Sequence, residues 1–423
     1  MDTTIYPQKN QDIRLDLPCS KSLAHRYIIA SCLAQEKSTI GNITLNQDIE
    51  ATIETMRHLG AKITYNDHCL EIEGITSWQY DGCELDCHES GSTLRFLIPL
   101  CTLIAEDVCL TGTLRLLARP QDVYEKLFAE NNVKFVKEKD KLIVGHGLKG
   151  GHYRLDGNIS SQFITGLLFV LPLLKEDSYL EIIEPFASRS YVDLTMQVLQ
   201  QFNVDVAYVD HNHIKIKGNQ RYQAGNHLVE ADYSQLAFFA ALGILNNGLE
   251  VGCFDEASKQ GDKAVIDILR KMGADIHFAK GYYHFKPSQL QGCQIDLEDC
   301  PDLGPMLFAL STMAQGKTHF INTKRLKIKE SDRVMAMVQE MRKLGCKVSY
   351  DDNSLSVEYQ PDLQQDIILK GHNDHRIVMA LSIIATLAKG KITISGSQAI
   401  NKSYPAFFSD LAKTGIEVKH HDN

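Results

Sequence analysis

Seven positions, Lys327-Ile-Lys-Glu-Ser-Asp-Arg333, carry two lysines, an arginine, a glutamate and an aspartate. A Ser-Asp pair ahead of the apolar-periodic run Val334 to Val338 predicts a helix start, with the charged residues in its first turn. Backbone N–H groups are unpaired at a helix start and the dipole is positive there, so anions are favoured. Lysine and arginine side chains add to that field, which suits phosphate or carboxylate. Glu330 is then a carboxylate among cations, and neighbours of that kind set its proton affinity, as proton-transfer chemistry requires. The plainer reading is a solvated cluster of surface ion pairs, worth little energetically.

Similar clusters recur along the chain. Ser20-Lys21-Ser22, with Arg26 one turn on, joins hydroxyls to cations on one helix face. Ser90-Gly91-Ser92-Thr93 contains a glycine that would let an anion approach the backbone closely. Arg119-Pro120 sets a cation beside a helix-start proline, and Ser160-Ser161-Gln162 is an uncharged hydrogen-bonding set. Ser188-Arg189-Ser190-Tyr191 adds a hydroxyl, a cation and a phenol; Asp302, Asp374-His375-Arg376 and Lys402-Ser403-Tyr404-Pro405 follow. Taken singly, each reads as well as a helix cap, a turn or a buried structural residue.

Their phase makes them informative together. Ser20, Ser90, Ser160, Asp232, Asp302 and Asp374 each open a strongly apolar helix and are separated by 70 to 72 residues. Gly60, Asn132, Asn203, Gly273, Gly345 and Gly415 keep the same period at the end of a helix, where glycine and asparagine best tolerate a left-handed closing residue. A third series, Asp48, Arg119, Ser188, Gln260, Glu330 and Lys402, falls at the start of the second helix of each unit. The unit reads strand, helix, strand, helix, strand, strand. Six of them fill the chain, which is too large a repeat for a solenoid and suits two globules of three units. The midpoint lies near residues 221 to 231, at the turn-rich Arg221-Tyr-Gln-Ala-Gly-Asn226. Helix starts that point the same way in each globule would gather their positive ends on one polyanion-binding cleft.

Composition narrows the ligand. With 423 residues, 44% of them hydrophobic, and a formal charge of −9, the chain suits two large domains or a repeat array, and any anion site must be a local basic pocket on an acidic body. Nucleic acid and anionic membranes are therefore not expected as partners. The start Met1-Asp2-Thr3-Thr4 lacks the regions of a signal peptide, and the apolar run Ile377 to Ala388 is too short to span a bilayer, so a cytoplasmic location is expected. Eleven scattered cysteines fit reduced core thiols. Cys83, Cys87 and His88 have no second ligand pair at finger-like spacing, and no metal is expected.

In order, Ser-Lys-Ser with Arg one turn on, Arg-Pro, Ser-Ser-Gln, Lys-x-Lys-Glu-Ser-Asp-Arg, Asp-His-Arg before an apolar helix and Lys-Ser-Tyr-Pro span nearly the whole sequence. In this combination the chain resembles the EPSP synthases, 3-phosphoshikimate 1-carboxyvinyltransferases of the enolpyruvyl transferase family. The resemblance implies an α/β fold of two globules, each of three βαβαββ repeats in an inside-out barrel. Residues 20–228 would form one globule, and 1–19 with 229–423 the other. It also implies a monomer that uses shikimate 3-phosphate and phosphoenolpyruvate, without cofactor, in aromatic amino acid biosynthesis, and that is a target of glyphosate in the phosphoenolpyruvate site.

Carried over position by position, the resemblance assigns Lys21, Ser22, Arg26, Ser160, Ser161, Gln162, Ser188, Tyr191, Asp302 and Lys329 to shikimate 3-phosphate. Phosphoenolpyruvate falls to Lys21, Gly91, Arg119, Gln162, Arg333, Arg376 and Lys402. Asp302 and Glu330 become the proton-handling carboxylates, with Lys21 and Lys402 as catalytic cations. Two positions depart from the family pattern: Glu89 stands where an asparagine commonly precedes the small residue and glycine, and Arg325 where an asparagine often touches the ring. The rival readings are the related transferase that acts on a UDP-linked amino sugar and a non-catalytic anion-binding scaffold. Against the first, Arg115-Leu116-Leu117-Ala118-Arg119 stands in place of a loop with a reactive cysteine. Against the second stand Asp302 and Glu330, since a binder gains nothing from carboxylates beside its cations.

Overall fold

Long helices that are apolar on every side must be enclosed. The helices Lys21–Leu33, Gly91–Cys101 and Ser161–Val170 are buried along nearly their whole lengths, and His375–Ala385 along all of it. In the computed structural model, which describes residues 1–421, strands supply the enclosure. The chain forms two compact units, Cys19–Val229 in one and Met1–Pro18 with the chain from Glu230 onward in the other.

The unit Cys19–Val229 has three four-stranded sheets. In the first, Asn226–Leu228 runs parallel to Lys37–Gly41, which pairs antiparallel with Cys69–Glu73 and through it with Lys62–Asn66. Leu85–Asp86, Val108–Thr111, Lys141–Val144 and Phe135–Lys137 repeat that pattern, as do His152–Asp156, Ser178–Ile183, His213–Ile216 and Val206–Tyr208. One apolar core runs through the unit, with Leu94, Phe96, Leu97, Leu167 and Phe169 fully buried.

The second unit uses the same pairing three times. Arg14–Asp16 lies parallel to Leu249–Gly252, which is antiparallel to Tyr282–Phe285, beside Ile276–Ala279. Gln294–Asp296, Lys317–Ile321, Ser354–Glu358 and Val348–Tyr350 form the next sheet. In the last, Ile367–Lys370 is parallel to Ile392–Ser395, and the N-terminal strand Asp2–Tyr6 fills the place between Ile392–Ser395 and Glu417–His421. The unit has its own core around Phe238, Phe308, Val334 and Ile384.

Local chemistry fixes where the helices begin. The side chains of Ser20, Ser90, Ser160, Asp232 and Asp374 each accept a first-turn backbone N–H, satisfying a donor that would otherwise be orphaned. Asp302 lies instead in the short 3-10 turn Pro301–Leu303. Gly60, Asn132, Asn203, Gly273, Gly345 and Gly415 all have positive φ, the conformation that glycine and asparagine adopt most cheaply.

One expectation needs correction. The Lys327–Arg333 run is not the first turn of a helix. Lys324–Ile328 makes its own 3-10 turn, Lys329 is extended, and Asp332 caps the helix Arg333–Lys343 by accepting from the Met335 N–H at 3.0 Å. The aspartate at the sixth position of the charged run is the stronger start signal, and it leaves Lys329 and Glu330 on the connecting segment ahead of the helix.

Candidate active site

In the second unit, the loaded residues gather around one buried guanidinium. Arg333 donates from Nε to Asp374 Oδ2 at 2.9 Å, from Nη1 to Asp302 Oδ1 at 2.9 Å and from Nη2 to Glu330 Oε2 at 2.7 Å. Its side chain is 1% exposed, against 21% for Asp302 and 16% for Glu330. Arg333 is thus the inner bridge between two carboxylates that reach solvent. Burial alone would lower its proton affinity, but Asp374, Glu330 and Asp302 outweigh that and raise it. At Asp374 burial pulls upward and the Arg333 charge wins, so the carboxyl sits below its usual range.

Asp302 meets two more cations. Lys329 Nζ lies 3.3 Å from Oδ1, and Arg376 donates from Nη2 to Oδ2 at 3.1 Å and from Nη1 to the Asp302 carbonyl at 3.2 Å. Arg376 also donates to Ser234 Oγ at 3.0 Å. Burial pushes the Lys329 ammonium down, with Asp302 opposing it. Lys402 donates to the Asn373 carbonyl at 2.6 Å, and Asn373 precedes the Asp374 cap. Asp302, Lys329, Glu330, Arg333, Arg376 and Lys402 therefore come from the Pro301–Leu303 turn, the lead-in and first residue of Arg333–Lys343, the first turn of His375–Ala385 and the end of the 3-10 turn Ser397–Lys402. Arg325 donates to the Glu298 carbonyl at 3.3 Å, and its charge adds to the downward push on Lys329.

In the unit Cys19–Val229 the buried Arg26 and Arg95 donate to uncharged groups. Arg26, buried, donates to Thr195 Oγ1 at 2.8 Å, to the Ser22 carbonyl at 2.6 Å and to the Tyr191 carbonyl at 2.9 Å, and lies over the Phe96 ring. Burial lowers its affinity for a proton to a pKa of about 10. Lys21 pairs with Asp48 at 2.8 Å, and both are mostly covered. Gln162 accepts from Arg95 Nη1 at 2.8 Å and donates to Ser92 Oγ at 3.0 Å. A Cβ at Gly91 would fall 2.7 Å from Arg119 Nη1 and 3.4 Å from Gln162 Oε1, so Gly91, Arg119 and Gln162 are adjacent. Ser160 caps the helix Ser161–Val170, and Ser188, in a left-handed conformation, opens Arg189–Gln201.

Three contributors escaped the sequence reading as site residues. Asp48 fixes Lys21, Arg95 fixes the Gln162 amide and also donates to the Pro120 carbonyl at 3.0 Å, and Asp374 anchors Arg333. Arg95 had a visible signal, a lone cation one turn after Gly91 in an otherwise apolar helix. Asp48 and Asp374 read in the sequence as helix openers, and nothing there says which cation each meets.

Comparison with known proteins adds a family. The family model described as EPSP synthase (3-phosphoshikimate 1-carboxyvinyltransferase) matches residues 5–411. A 3-phosphoshikimate 1-carboxyvinyltransferase of Clostridium kluyveri is 38% identical over 417 residues, covering 98% of this chain and 97% of the relative. One from Clostridium perfringens is 40% identical over 409 residues, covering 95% and 96%. Among solved structures, an EPSP synthase of Acinetobacter baumannii has a TM-score of 0.84 at 24% identity, covering 99% of this chain and all of that one. The enolpyruvyl transferase NikO of Streptomyces tendae has a TM-score of 0.80 at 16% identity, covering 99% and 98%. These two likenesses establish a shared α/β fold.

Proposed function

The chain belongs to the EPSP synthase (3-phosphoshikimate 1-carboxyvinyltransferase) family, and we propose how its residues move the enolpyruvyl group of phosphoenolpyruvate to the 5-hydroxyl of shikimate 3-phosphate, releasing phosphate. The observation that carries this reading is the Arg333 guanidinium held between Asp302 and Glu330. A cation whose carboxylate partners reach solvent can trade them for a substrate carboxylate.

Arg26, Lys21 and Ser22 hold the shikimate ring and its carboxylate, with Gln162 and Tyr191 along the ring. Ser160, Ser161, Ser188 and Lys329 take the 3-phosphate through charge-assisted hydrogen bonds. Phosphoenolpyruvate is held by Lys21, Gly91, Arg119, Gln162, Arg333, Arg376 and Lys402. When its carboxylate takes Arg333, Glu330 loses its nearest positive neighbour and gains proton affinity, which suits it to act as an acid.

In the addition step, Glu330 gives a proton to the methylene carbon of phosphoenolpyruvate while the 5-hydroxyl oxygen bonds to its C2. Asp302 takes the hydroxyl proton. Elimination then breaks the C2–O bond to phosphate: the methyl group gives a proton back to Glu330, the double bond reforms, and the Asp302 proton leaves with phosphate. Lys21, Lys402 and the arginines stabilise the charge that gathers on the tetrahedral intermediate and the departing group. The enzyme works as a cytoplasmic monomer in this reading.

Phosphorus NMR tests the proposal. Shikimate 3-phosphate and phosphoenolpyruvate mixed with the purified protein should yield inorganic phosphate and a new phosphorylated enol ether in equal amounts. Turnover with UDP-N-acetylglucosamine instead, or with neither acceptor, would overturn it.

A further inference from the structure

Cys83, Cys87 and His88 are close in sequence but do not come together. Cys87 is buried and its Sγ points to the Leu85 carbonyl, while His88 pairs with Asp86 at 3.2 Å. Cys83 instead meets a residue 25 positions upstream: its Sγ lies 3.3 Å from Nδ1 of His58, the last residue of the helix Gln47–His58. The Cys83 N–H donates to Asp81 Oδ1 at 3.0 Å, which turns that carboxylate toward the same point. One donor atom each of His58, Asp81 and Cys83 lies within 4.8 Å of the others, the one such group among the described residues.

We propose that His58 Nδ1, an Asp81 carboxylate oxygen and Cys83 Sγ form a surface site for a thiophilic divalent cation of the zinc type, with water as fourth ligand. Zinc takes sulfur at about 2.3 Å and imidazole nitrogen at about 2.0 Å, so a tetrahedral centre holds the two about 3.5 Å apart. The sulfur and nitrogen already stand at nearly that separation. Asp81 needs to draw in by about an ångström, which its loop position allows. Soft sulfur with imidazole and one carboxylate suits zinc over magnesium or calcium, which prefer all-oxygen sets. The site also abuts the carbonyl end of the Gln47–His58 helix, where the dipole favours a cation. Binding displaces the thiol proton to solvent and ties this helix end to the loop that carries Asp81 and Cys83. None of the three residues belongs to the substrate set, and the site is independent of the catalytic reading.

Cobalt(II) titration of the metal-stripped, full-length protein provides the test, since thiolate ligation gives a near-ultraviolet charge-transfer band. The band should saturate at one equivalent, be lost in Cys83→Ser, weaken in His58→Gln and survive in Cys109→Ser, which removes another partly covered thiol. Zinc should raise the thermal midpoint of the unaltered protein and leave that of Cys83→Ser unmoved. Absence of the band, its persistence in Cys83→Ser, or its loss in Cys109→Ser would overturn the site.

Discussion

Two pairs of buried arginines, one pair in each unit, are held in opposite ways. Arg333 and Arg376 lie against carboxylates, whereas Arg26 and Arg95 lie against hydroxyls, backbone carbonyls and an amide. Burial weakens the hold of Arg26 on its proton, while three carboxylates strengthen that of Arg333. A buried guanidinium among neutral partners keeps its charge for an incoming anion. One among carboxylates also sets their protonation, which changes when an incoming anion takes their place. In the proposed mechanism the first arrangement serves anion holding, and the second couples anion holding to proton handling.

The largest test of that contrast is Glu330→Gln, nearly isosteric and stripped only of the titrating group. Turnover should fall by roughly two to four orders of magnitude with shikimate 3-phosphate affinity nearly unchanged, as steady-state kinetics and calorimetry will report. A weakened affinity with normal turnover would reverse the roles. Next comes Arg26→Lys, which keeps charge and loses the fork: shikimate 3-phosphate should bind roughly ten- to a hundredfold more weakly, with a smaller change in the Michaelis constant for phosphoenolpyruvate.

Acid sharpens the comparison through stability. His25, fully buried and bonded to Thr52 Oγ1 at 2.7 Å, is held well below its ordinary range by burial and then by Lys21 and Arg26. The unfolded chain therefore binds the extra proton first, and the Cys19–Val229 unit should lose up to about 1.4 kcal/mol per pH unit below about pH 6.5. Asp374 has the opposite history: burial pulls its carboxyl up, Arg333 pulls it down further, and its stabilisation is present above about pH 4 and lost only as pH falls toward its folded value. Thermal midpoints between pH 7 and 5 should drop, and His25→Gln should flatten that slope. An unchanged slope would remove His25 from the account.

The smallest effect is Gly91→Ala. Its Cβ would press on Arg119 Nη1, the end of a flexible side chain, and the Michaelis constant for phosphoenolpyruvate should rise by only about threefold to tenfold. Glyphosate, which is longer, should lose more, and equal loss of both in inhibition kinetics would contradict the placement.

Much of this was legible because the repeat writes the same chemistry six times. Ser20, Ser90, Ser160, Asp232 and Asp374 declare themselves as caps through residue type and period, and the apolar runs behind them require burial. The Lys327–Arg333 run misled because a helix start and its lead-in share one charge pattern, and only the Asp332 cap separates them. The partners of Asp48, Arg95 and Asp374 were beyond reach, since which cation a carboxylate meets depends on how separate repeats pack. His58 is the clearest case: no local motif joins it to a cysteine 25 residues away.

The division of labour is tested most directly by following the methylene hydrogens of phosphoenolpyruvate in deuterium oxide with shikimate 3-phosphate bound. Protonation and return at that carbon by Glu330 predicts deuterium in the enolpyruvyl group of the product, its rate of entry reduced by roughly two orders of magnitude or more in Glu330→Gln. Deuterium entering Glu330→Gln at the unaltered rate would show that another group moves that proton, and the carboxylate-bearing unit would lose its assigned role.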